Sequence, residues 1–94
     1  MEVSLKFISS YHRSVKDDLD KLDNYSKSRI KRVMEARLLI DPINNGESLR
    51  GSLKGYRKLR VGDYRIVYKV LEKEIHVLGI RHRKDLAMFQ ASLM

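Results

Sequence analysis

The chain has no cysteine and no tryptophan, only one proline, and no long apolar run. The absence of cysteine excludes disulfide bridges, cysteine-ligated zinc sites and thiol nucleophiles, and it suits a reducing compartment. No run of about 18 apolar residues occurs and no signal-like start is present, so we expect a cytoplasmic protein without membrane contact. At 94 residues, we expect a single domain over residues 1–94, with one modest core and an open-faced site.

Positive charge is abundant and unevenly distributed along the chain. The formal net charge is +8. Residues 50–85 contain eleven Lys/Arg and four Asp/Glu, a net charge of +7, whereas residues 1–49 have a net charge of +1. This asymmetry predicts a basic surface formed by the second half of the chain, and a polyanion such as nucleic acid is the first candidate partner.

The first half of the sequence predicts a strand followed by two helices. Residues 3–7 alternate between apolar and polar side chains, which indicates a half-buried strand. Apolar residues from Tyr11 to Leu22 then recur at helical spacing, with Ser9 or Ser10 as the expected N-cap. A second helix is expected from Asn24–Ser26 to about Ile40, since Asp41 precedes a proline. The short connection predicts an antiparallel helical hairpin.

The second half predicts a meander of strands after a long connection over residues 42–55. The expected strands are residues 56–61, 64–71 and 74–82, joined by the two-residue turns Gly62-Asp63 and Glu72-Lys73. A short C-terminal helix is expected over residues 86–93, capped by Asp85. The predicted fold class is therefore α+β, with the N-terminal strand and the meander forming a mostly antiparallel four-stranded sheet that the helical hairpin covers.

Two-residue turns fix the strand register, so the sequence also predicts which residues share a face. The first turn places Arg60 opposite Arg65, and the second places Arg65 opposite Ile80. The face toward the helices then consists of Leu59, Val61, Tyr64, Ile66, Tyr68, Val70, Ile75, Val77 and Gly79. The opposite face, called the outer face below, consists of Tyr56, Lys58, Arg60, Arg65, Val67, Lys69, His76, Leu78, Ile80 and His82. Opposed arginines cost up to about 1 kcal/mol, which a bound phosphate would relieve.

The outer face predicts metal-free chemistry on a phosphodiester. The three histidines lack the spacing of metal ligands and no serine lies in a nucleophile elbow, so we expect no metal and no other cofactor. Clustered Lys and Arg can stabilise the charge that develops on a phosphate, and the 2′-hydroxyl of RNA can act as the nucleophile. His82 is a candidate acid or base, or a solvent-facing strand end; Lys58 is a second candidate base. Tyr56 and Phe89 either stack on an unpaired base or pack within the protein.

The element order and three sequence segments resemble the RelE/ParE superfamily of toxins from bacterial and archaeal type II toxin–antitoxin modules. The segments are Leu49-Arg50-Gly51, the run from Tyr56 to Tyr68 (YRKLRVGDYRIVY), and the run from Ile80 to Asp85 (IRHRKD). The resemblance covers almost the whole chain and favours the RelE-like branch. RelE-type members resemble microbial ribonucleases in fold and cleave messenger RNA in the ribosomal A site without metal, leaving a cyclic phosphate.

The resemblance also implies site residues. Its motif matches Lys58, Arg60 and Arg65, which the register independently places on the outer face, and Arg81, which the register places on the other face unless a bulge intervenes. We predict catalytic roles for Lys58, Arg60, Arg65, Arg81 and His82. We predict RNA binding by Lys54, Arg57, Lys69, Arg83, Lys84 and Phe89. RelE-type members often carry a tyrosine at the position of Ala87, where this chain lacks the hydroxyl.

Three functions remain open at this point: a ribosome-dependent messenger RNA endonuclease, a ParE-type poison of DNA gyrase, which Ala87 favours, and a toxin relic that only binds its antitoxin. The partners implied are a cognate antitoxin, RelB-like or other, together with the ribosome and messenger RNA. We expect a heteromeric complex in which an acidic or amphipathic antitoxin segment covers the sheet and the helical hairpin.

Overall fold

The computed structural model describes residues 7–86, which form one sheet covered on one side by helices. The elements, in chain order, are β1 (Ile8–Tyr11), α1 (Ser14–Asp20), α2 (Asn24–Val33), a π-helical turn (Met34–Leu38), α3 (Pro42–Asn45), β2 (Glu47–Ser48), a 3₁₀ turn (Gly51–Leu53), β3 (Arg57–Val61), β4 (Tyr64–Leu71), β5 (Glu74–His82) and a second 3₁₀ turn (Arg83–Asp85). The predicted α+β class and helical hairpin are confirmed.

The sheet has five strands in the order β1-β5-β4-β3-β2, rather than the four predicted. β1 pairs with β5 in parallel, and the other pairs are antiparallel. The additional strand, β2, consists of only two residues, which pair with Lys58 and Arg57 of β3. Two residues are too few to produce a visible alternation of apolar and polar side chains, so residues 42–55 resembled a connection.

Both hairpin turns lie where the sequence predicts them. Val61 pairs with Tyr64 across Gly62-Asp63, and Leu71 pairs with Glu74 across Glu72-Lys73. Gly62 has a φ of 61°, as the first central residue of a type II′ turn requires. The predicted opposition of Arg60 and Arg65 is therefore confirmed.

A β-bulge in β5 overturns the predicted register farther from the second turn. Tyr68 pairs with Val77, but the next pair joins Val67 to Gly79, so Leu78 is the extra residue. The predicted pairs of Val67 with Leu78 and of Arg65 with Ile80 are wrong. Beyond the bulge every side chain of β5 changes face relative to the prediction, because strand side chains alternate.

The start of the chain also differs from prediction. Ser9 and Ser10 belong to β1 and cap no helix, and Tyr11 ends β1 and is half exposed. Helix α1 begins only at Ser14, whose backbone N–H donates to Nδ1 of His12. Of the predicted strand over residues 3–7, only Phe7 is among the described residues, and it lies just before β1.

The second helix begins and ends as the sequence predicts. Asp23 is its N-cap. Hydrogen bonds from the Ser26 side chain and from the Ser26 backbone N–H, the latter at 2.8 Å, lower the pKa of Asp23. The helical path continues through the π-helical turn and stops before Asp41-Pro42. The predicted C-terminal helix over residues 86–93 lies outside the described residues, apart from Leu86.

Two apolar clusters lie on the two faces of the sheet. The larger one, between the sheet and the helices, contains Val15, Ile30, Met34, Leu38, Leu59, Val61, Ile66, Tyr68, Ile75, Val77 and Ile80. The smaller one lies on the outer face and contains Leu49, Leu53 and Val67, with Tyr56, Leu78 and Leu86 packed against it. The outer face is therefore apolar around Val67, and Arg60 and Arg65 lie at its end near the first turn.

The loop that carries β2 is attached to the core through Tyr68 and Arg57. The buried Tyr68 hydroxyl donates to the carbonyl of Pro42 at 2.6 Å, and burial raises the pKa of Tyr68. The Arg57 guanidinium donates to the carbonyl of Gly46 at 2.7 Å and to the hydroxyl of Ser48 at 3.0 Å. These bonds hold β2 against β3.

We expect Gly46→Ala to lower the free energy of unfolding by about 3 kcal/mol, because a Cβ atom there would overpack the buried Tyr68 side chain. A Cβ atom on Gly46 would lie 1.9 Å from the Tyr68 hydroxyl oxygen. Urea denaturation measures the change. In a Tyr68→Phe background the same substitution should cost clearly less, since the atom that clashes most is gone; an equal cost in both backgrounds would contradict this account.

Candidate functional site

Three arginines lie in a row across the outer face. Arg60 of β3 pairs with Arg65 of β4, which pairs with Arg81 of β5. The bulge in β5 brings Arg81 to this face. Lys58 lies on the same face one step along β3, opposite Val67. Lys58, Arg60 and Arg65 therefore share this part of the outer face and line one cleft, and Arg81 lies next to Arg65 in the row.

A cleft of about 330 Å³ opens at the edge of β3 beside this row. Its lining residues are Arg37, Asn45, Glu47, Lys58, Leu59, Arg60 and Arg65. It exists because β2 pairs only with Arg57 and Lys58, so the rest of the β3 edge is not covered by a strand. Four cationic side chains and one carboxylate line it, so the cleft is strongly suited to an anion.

Arg60 and Arg65 are held differently. The Arg65 guanidinium donates to the carbonyls of Gly62 and Tyr64, at 3.1 and 3.0 Å, which fixes it against the first turn. Arg60 is exposed and has no hydrogen bond or salt bridge to any of residues 7–86. Arg65 is therefore preorganised, whereas Arg60 is free to adjust to a ligand.

Glu47 is a site residue that the sequence analysis missed. Its Oε1 lies 4.0 Å from Nζ of Lys58, across the β2–β3 pair, and its side chain is 80% exposed. An exposed ion pair at this distance contributes little stability, so the Glu47 and Lys58 side chains can each bind a ligand instead. The signal that could have revealed Glu47 is its position just before Leu49-Arg50-Gly51. A strand of two residues is too short for the sequence to show which face of the sheet Glu47 lies on.

Arg81 is bound by a buried carboxylate from helix α1. Asp18 forms a salt bridge with the Arg81 guanidinium, and its other oxygen accepts from the backbone N–H of Ile80 at 3.0 Å. Pairing of β1 with β5 stops at Val77, so this N–H would otherwise have no strand partner. Asp18 therefore completes the edge of β5 and draws the Arg81 guanidinium toward α1.

His82 does not share the outer face, contrary to prediction. Because of the bulge it pairs with Tyr64, and the two rings meet edge to face with centroids 5.4 Å apart. Its Nδ1 accepts from the backbone N–H of Lys84 at 3.1 Å. The cleft is not lined by His82, so the structure offers Glu47 rather than this imidazole beside Lys58.

Arg57, which the sequence analysis predicts to bind RNA, lies on the helix-facing side of β3 and does not line the cleft. It pairs with the core residue Tyr68. Its guanidinium donates hydrogen bonds to the carbonyls of Ile43 and Gly46 and to the hydroxyl of Ser48. The alternation of β3 explains this: Arg57 and Leu59 point toward the helices, whereas Lys58 and Arg60 point outward.

The other predicted RNA-binding residues are scattered around the cleft rather than within it. Lys69 lies over the ring of Tyr56, with Nζ 5.3 Å from the centroid, and Tyr56 packs on the smaller apolar cluster. Arg83 contacts Asp63 of the first turn at 3.5 Å. Lys54 and Lys84 are exposed. Phe89 and Ala87 lie outside the described residues.

A larger groove lies on the helical side of the molecule, with a volume of about 740 Å³. Its floor is apolar and includes Val15, Leu19, Ile30, Met34, Leu39 and Ile80. Its rim carries the cations Arg13, Lys16, Lys27 and Lys31, with Glu35 as its only carboxylate. It shares no lining residue with the basic cleft.

Residues 7–86 contain neither a metal-ligand cluster nor a membrane-spanning helix. No group of three or more His, Cys, Asp or Glu side chains in this range could hold a metal ion. No helix in the same range is long and apolar enough to span a membrane.

The fold and the basic cleft define the class of the protein. A family model described as "ParE toxin of type II toxin-antitoxin system, parDE" matches residues 10–87. The chain belongs to this family of toxins, within the RelE/ParE superfamily, as the sequence segments indicated. No curated protein matches the chain.

Solved structures share the fold. They include the toxin–antitoxin complex RelBE2 from Mycobacterium tuberculosis, with a TM-score of 0.78 and 23% identity over 84% of this chain and 100% of that chain. The RelE–RelB complex from Pyrococcus horikoshii has a TM-score of 0.67 and 23% sequence identity, over 84% of this chain and 97% of that chain. Free RelE from E. coli, with two arginine-to-alanine substitutions, has a TM-score of 0.69 and 21% sequence identity, over 94% of this chain and 93% of that chain. At these identities the likeness concerns the fold alone.

We expect Asp18→Ala to lower the free energy of unfolding by about 3 kcal/mol, because it leaves the Ile80 N–H and the Arg81 guanidinium without their carboxylate. Asp18→Asn should cost less, since its amide oxygen can still accept from Ile80. Asp20→Ala, which removes an exposed carboxylate of the same helix, is the control and should be near neutral. Urea denaturation of the three variants checks this; equal effects at both positions would contradict it.

Proposed function

We propose that this toxin inhibits translation by cutting messenger RNA in the ribosomal A site, without metal. The observation that carries the proposal is the basic cleft, in which Lys58, Arg60 and Arg65 lie around one carboxylate, Glu47. Fixed cations placed around a scissile phosphate stabilise the extra negative charge of the transition state. RNA is the fitting substrate because its own 2′-hydroxyl supplies the nucleophile.

The chemistry requires one base, one acid and an electrostatic clamp. Glu47 takes the proton of the 2′-hydroxyl, whose oxygen then attacks the adjacent phosphorus. The bond from phosphorus to the 5′-oxygen breaks, and the Lys58 ammonium donates a proton to that leaving oxygen. The products are a 2′,3′-cyclic phosphate and a 5′-hydroxyl. Arg65, already fixed by two carbonyls, and the adjustable Arg60 bind the non-bridging oxygens.

The openness of the cleft supports a substrate that another particle holds in place. Glu47 and Arg60 are both exposed, so the cleft by itself has little means of excluding water or bending an RNA strand. Much of a rate enhancement can come from positioning of the reacting groups. A ribosome that fixes the message in its A site would supply this positioning, and the toxin would supply the charges.

Mapping of cuts on translating ribosomes tests this proposal. Wild-type toxin should cut within the A-site codon, and Arg65→Ala should slow cutting about 100- to 1,000-fold, because it removes a clamp for the transition state. Glu47→Gln should slow it about 100- to 10,000-fold without weakening ribosome binding, because the cleft keeps its cations. Lys73→Ala, at the distant second turn, is the control and should cut normally. Intact message with wild-type toxin would refute the proposal.

Poisoning of DNA gyrase is the second candidate. Two observations favour it: the matching family model describes ParE toxins, and Ala87 stands where RelE-type toxins often have a tyrosine. Expression of the toxin in cells separates the two functions, since a gyrase poison would accumulate gyrase–DNA cleavage complexes and leave messages intact. Both functions are compatible with a basic open surface.

We further propose that the apolar groove on the helical side receives an amphipathic helix of a cognate antitoxin. The apolar floor matches the apolar side of such a helix, and the four rim cations match acidic residues along its flanks. The solved RelB–RelE and RelBE2 structures are complexes with antitoxins, which supports a partner of this kind here. Toxin and antitoxin would then form a heteromeric complex.

Charge reversal at the rim tests the antitoxin proposal. The double variant Lys16→Glu with Lys31→Glu should weaken antitoxin binding at least about tenfold at low salt, and less at high salt, because the attraction is screened. Calorimetric titration with the cognate antitoxin measures it, with the reversal Lys73→Glu as the control. Unchanged affinity of the double variant would exclude the groove as the binding site.

A further inference from the structure

The π-helical turn at Met34–Leu38 presents Arg37 to the basic cleft. A π-helical turn widens a helix, and such turns are rare and often found at functional sites. The Arg37 carbonyl accepts from the backbone N–H of Asp41 at 2.9 Å and from the Asn45 side chain at 3.2 Å. Asn45 also donates to the carbonyl of Asp41 at 3.0 Å. The backbone around Arg37 is therefore fixed by the loop that leads into β2.

Arg37 lines the cleft from a different layer than the other cations. Lys58, Arg60 and Arg65 belong to the sheet, whereas Arg37 belongs to the helical layer, and all four line one cleft. The Arg37 guanidinium has no hydrogen bond or salt bridge to any of residues 7–86. The one carboxylate of the cleft, Glu47, is nearest to Lys58. Among the described residues, Arg37 therefore has no anionic partner. It lines the same cleft as the three cations of the sheet.

We propose that Arg37 is a substrate-binding residue that holds a phosphate of single-stranded RNA next to the phosphate gripped by Arg60 and Arg65. This inference rests on the proposed ribonuclease function and extends it. A strand that crosses the open edge of β3 would pass between the helical layer and the outer face. One of its phosphates would meet Arg60 and Arg65, and a neighbouring one would meet Arg37 on the opposite wall.

A phosphodiester fits this arrangement better than the carboxylates of an acidic protein segment. Phosphates recur at a short, regular spacing along a nucleic-acid strand, and guanidinium groups bind them through two parallel hydrogen bonds. The groove on the helical side already offers an acidic partner a row of cations with an apolar floor, which this cleft lacks. An antitoxin carboxylate in the cleft is therefore the competing outcome of the test.

The test measures binding separately from cleavage. The probe is a fluorescent single-stranded RNA in which every 2′-hydroxyl is methylated, so that the toxin cannot cut it. Anisotropy titrations over a range of salt concentrations compare wild type with Arg37→Gln, Arg37→Lys and Arg32→Gln. Arg32 is the matched control, because it is an exposed arginine of the preceding helix that does not line the cleft. A circular dichroism melt verifies that each variant is folded.

Arg37→Gln should weaken binding several-fold and reduce the slope of log affinity against log salt by about 0.7, the value for one lost phosphate contact on a single strand. Arg37→Lys should keep the slope, since it keeps the charge, and Arg32→Gln should match wild type. On ribosomes, Arg37→Gln should raise KM more than it lowers kcat.

Three results would overturn the inference. If Arg37→Gln binds the probe and cuts messages as wild type does, Arg37 is not a substrate residue, although the ribonuclease function stands. If it loses affinity for the antitoxin but not for RNA, the cleft receives carboxylates. Wild-type toxin that neither binds the probe nor cuts any message would instead refute the ribonuclease proposal together with this one.

Discussion

The single extra residue in β5 determines which side chains of the last strand face the helices and which face outward. With Leu78 bulged, Ile80 enters the core and Arg81 joins Arg60 and Arg65, while His82 turns to Tyr64. A regular ladder would have buried a guanidinium against the helices and exposed an isoleucine beside the arginines. Burying an unpaired charge costs far more than a local break in pairing, so core and site both depend on this irregularity.

The cleft depends on a second irregularity, the shortness of β2. A longer strand would have covered the β3 edge and separated the helical layer from the outer face. Because β2 stops at Ser48, cations from both layers line one space. The Arg57 hydrogen bonds hold this short strand in place, so an inward-facing arginine supports the site without touching a substrate. Alternation along β3 thus places Arg57 toward the loop of β2 and its neighbour Lys58 in the cleft.

Local signals in the sequence were sufficient for the meander and for most of the basic face. Gly62-Asp63 determined the pairing of Arg60 with Arg65, and Asp41-Pro42 determined where the helical hairpin ends. The bulge, β2 and the partner of Arg81 were not predictable in this way, because each depends on contacts between residues distant in the chain. Gly79 in a strand interior was a hint of the bulge, since glycine there often marks one. Arg57 was predicted to bind RNA because of its residue type, although its position in β3 implied that it faces the helices.

The parallel pair of β1 and β5 has a consequence for synthesis of the protein. Its partners lie far apart in the chain, as Ser10 and His76 show with a separation of 66 residues. Contacts between residues this far apart form late in folding, because the entropy cost of closing a long loop comes before the contacts stabilise the chain. During translation, the first strand to emerge must wait for the last, and Arg81 of the basic row belongs to that last strand. The row of arginines is therefore completed only after β5, the last of the five strands, has been synthesised.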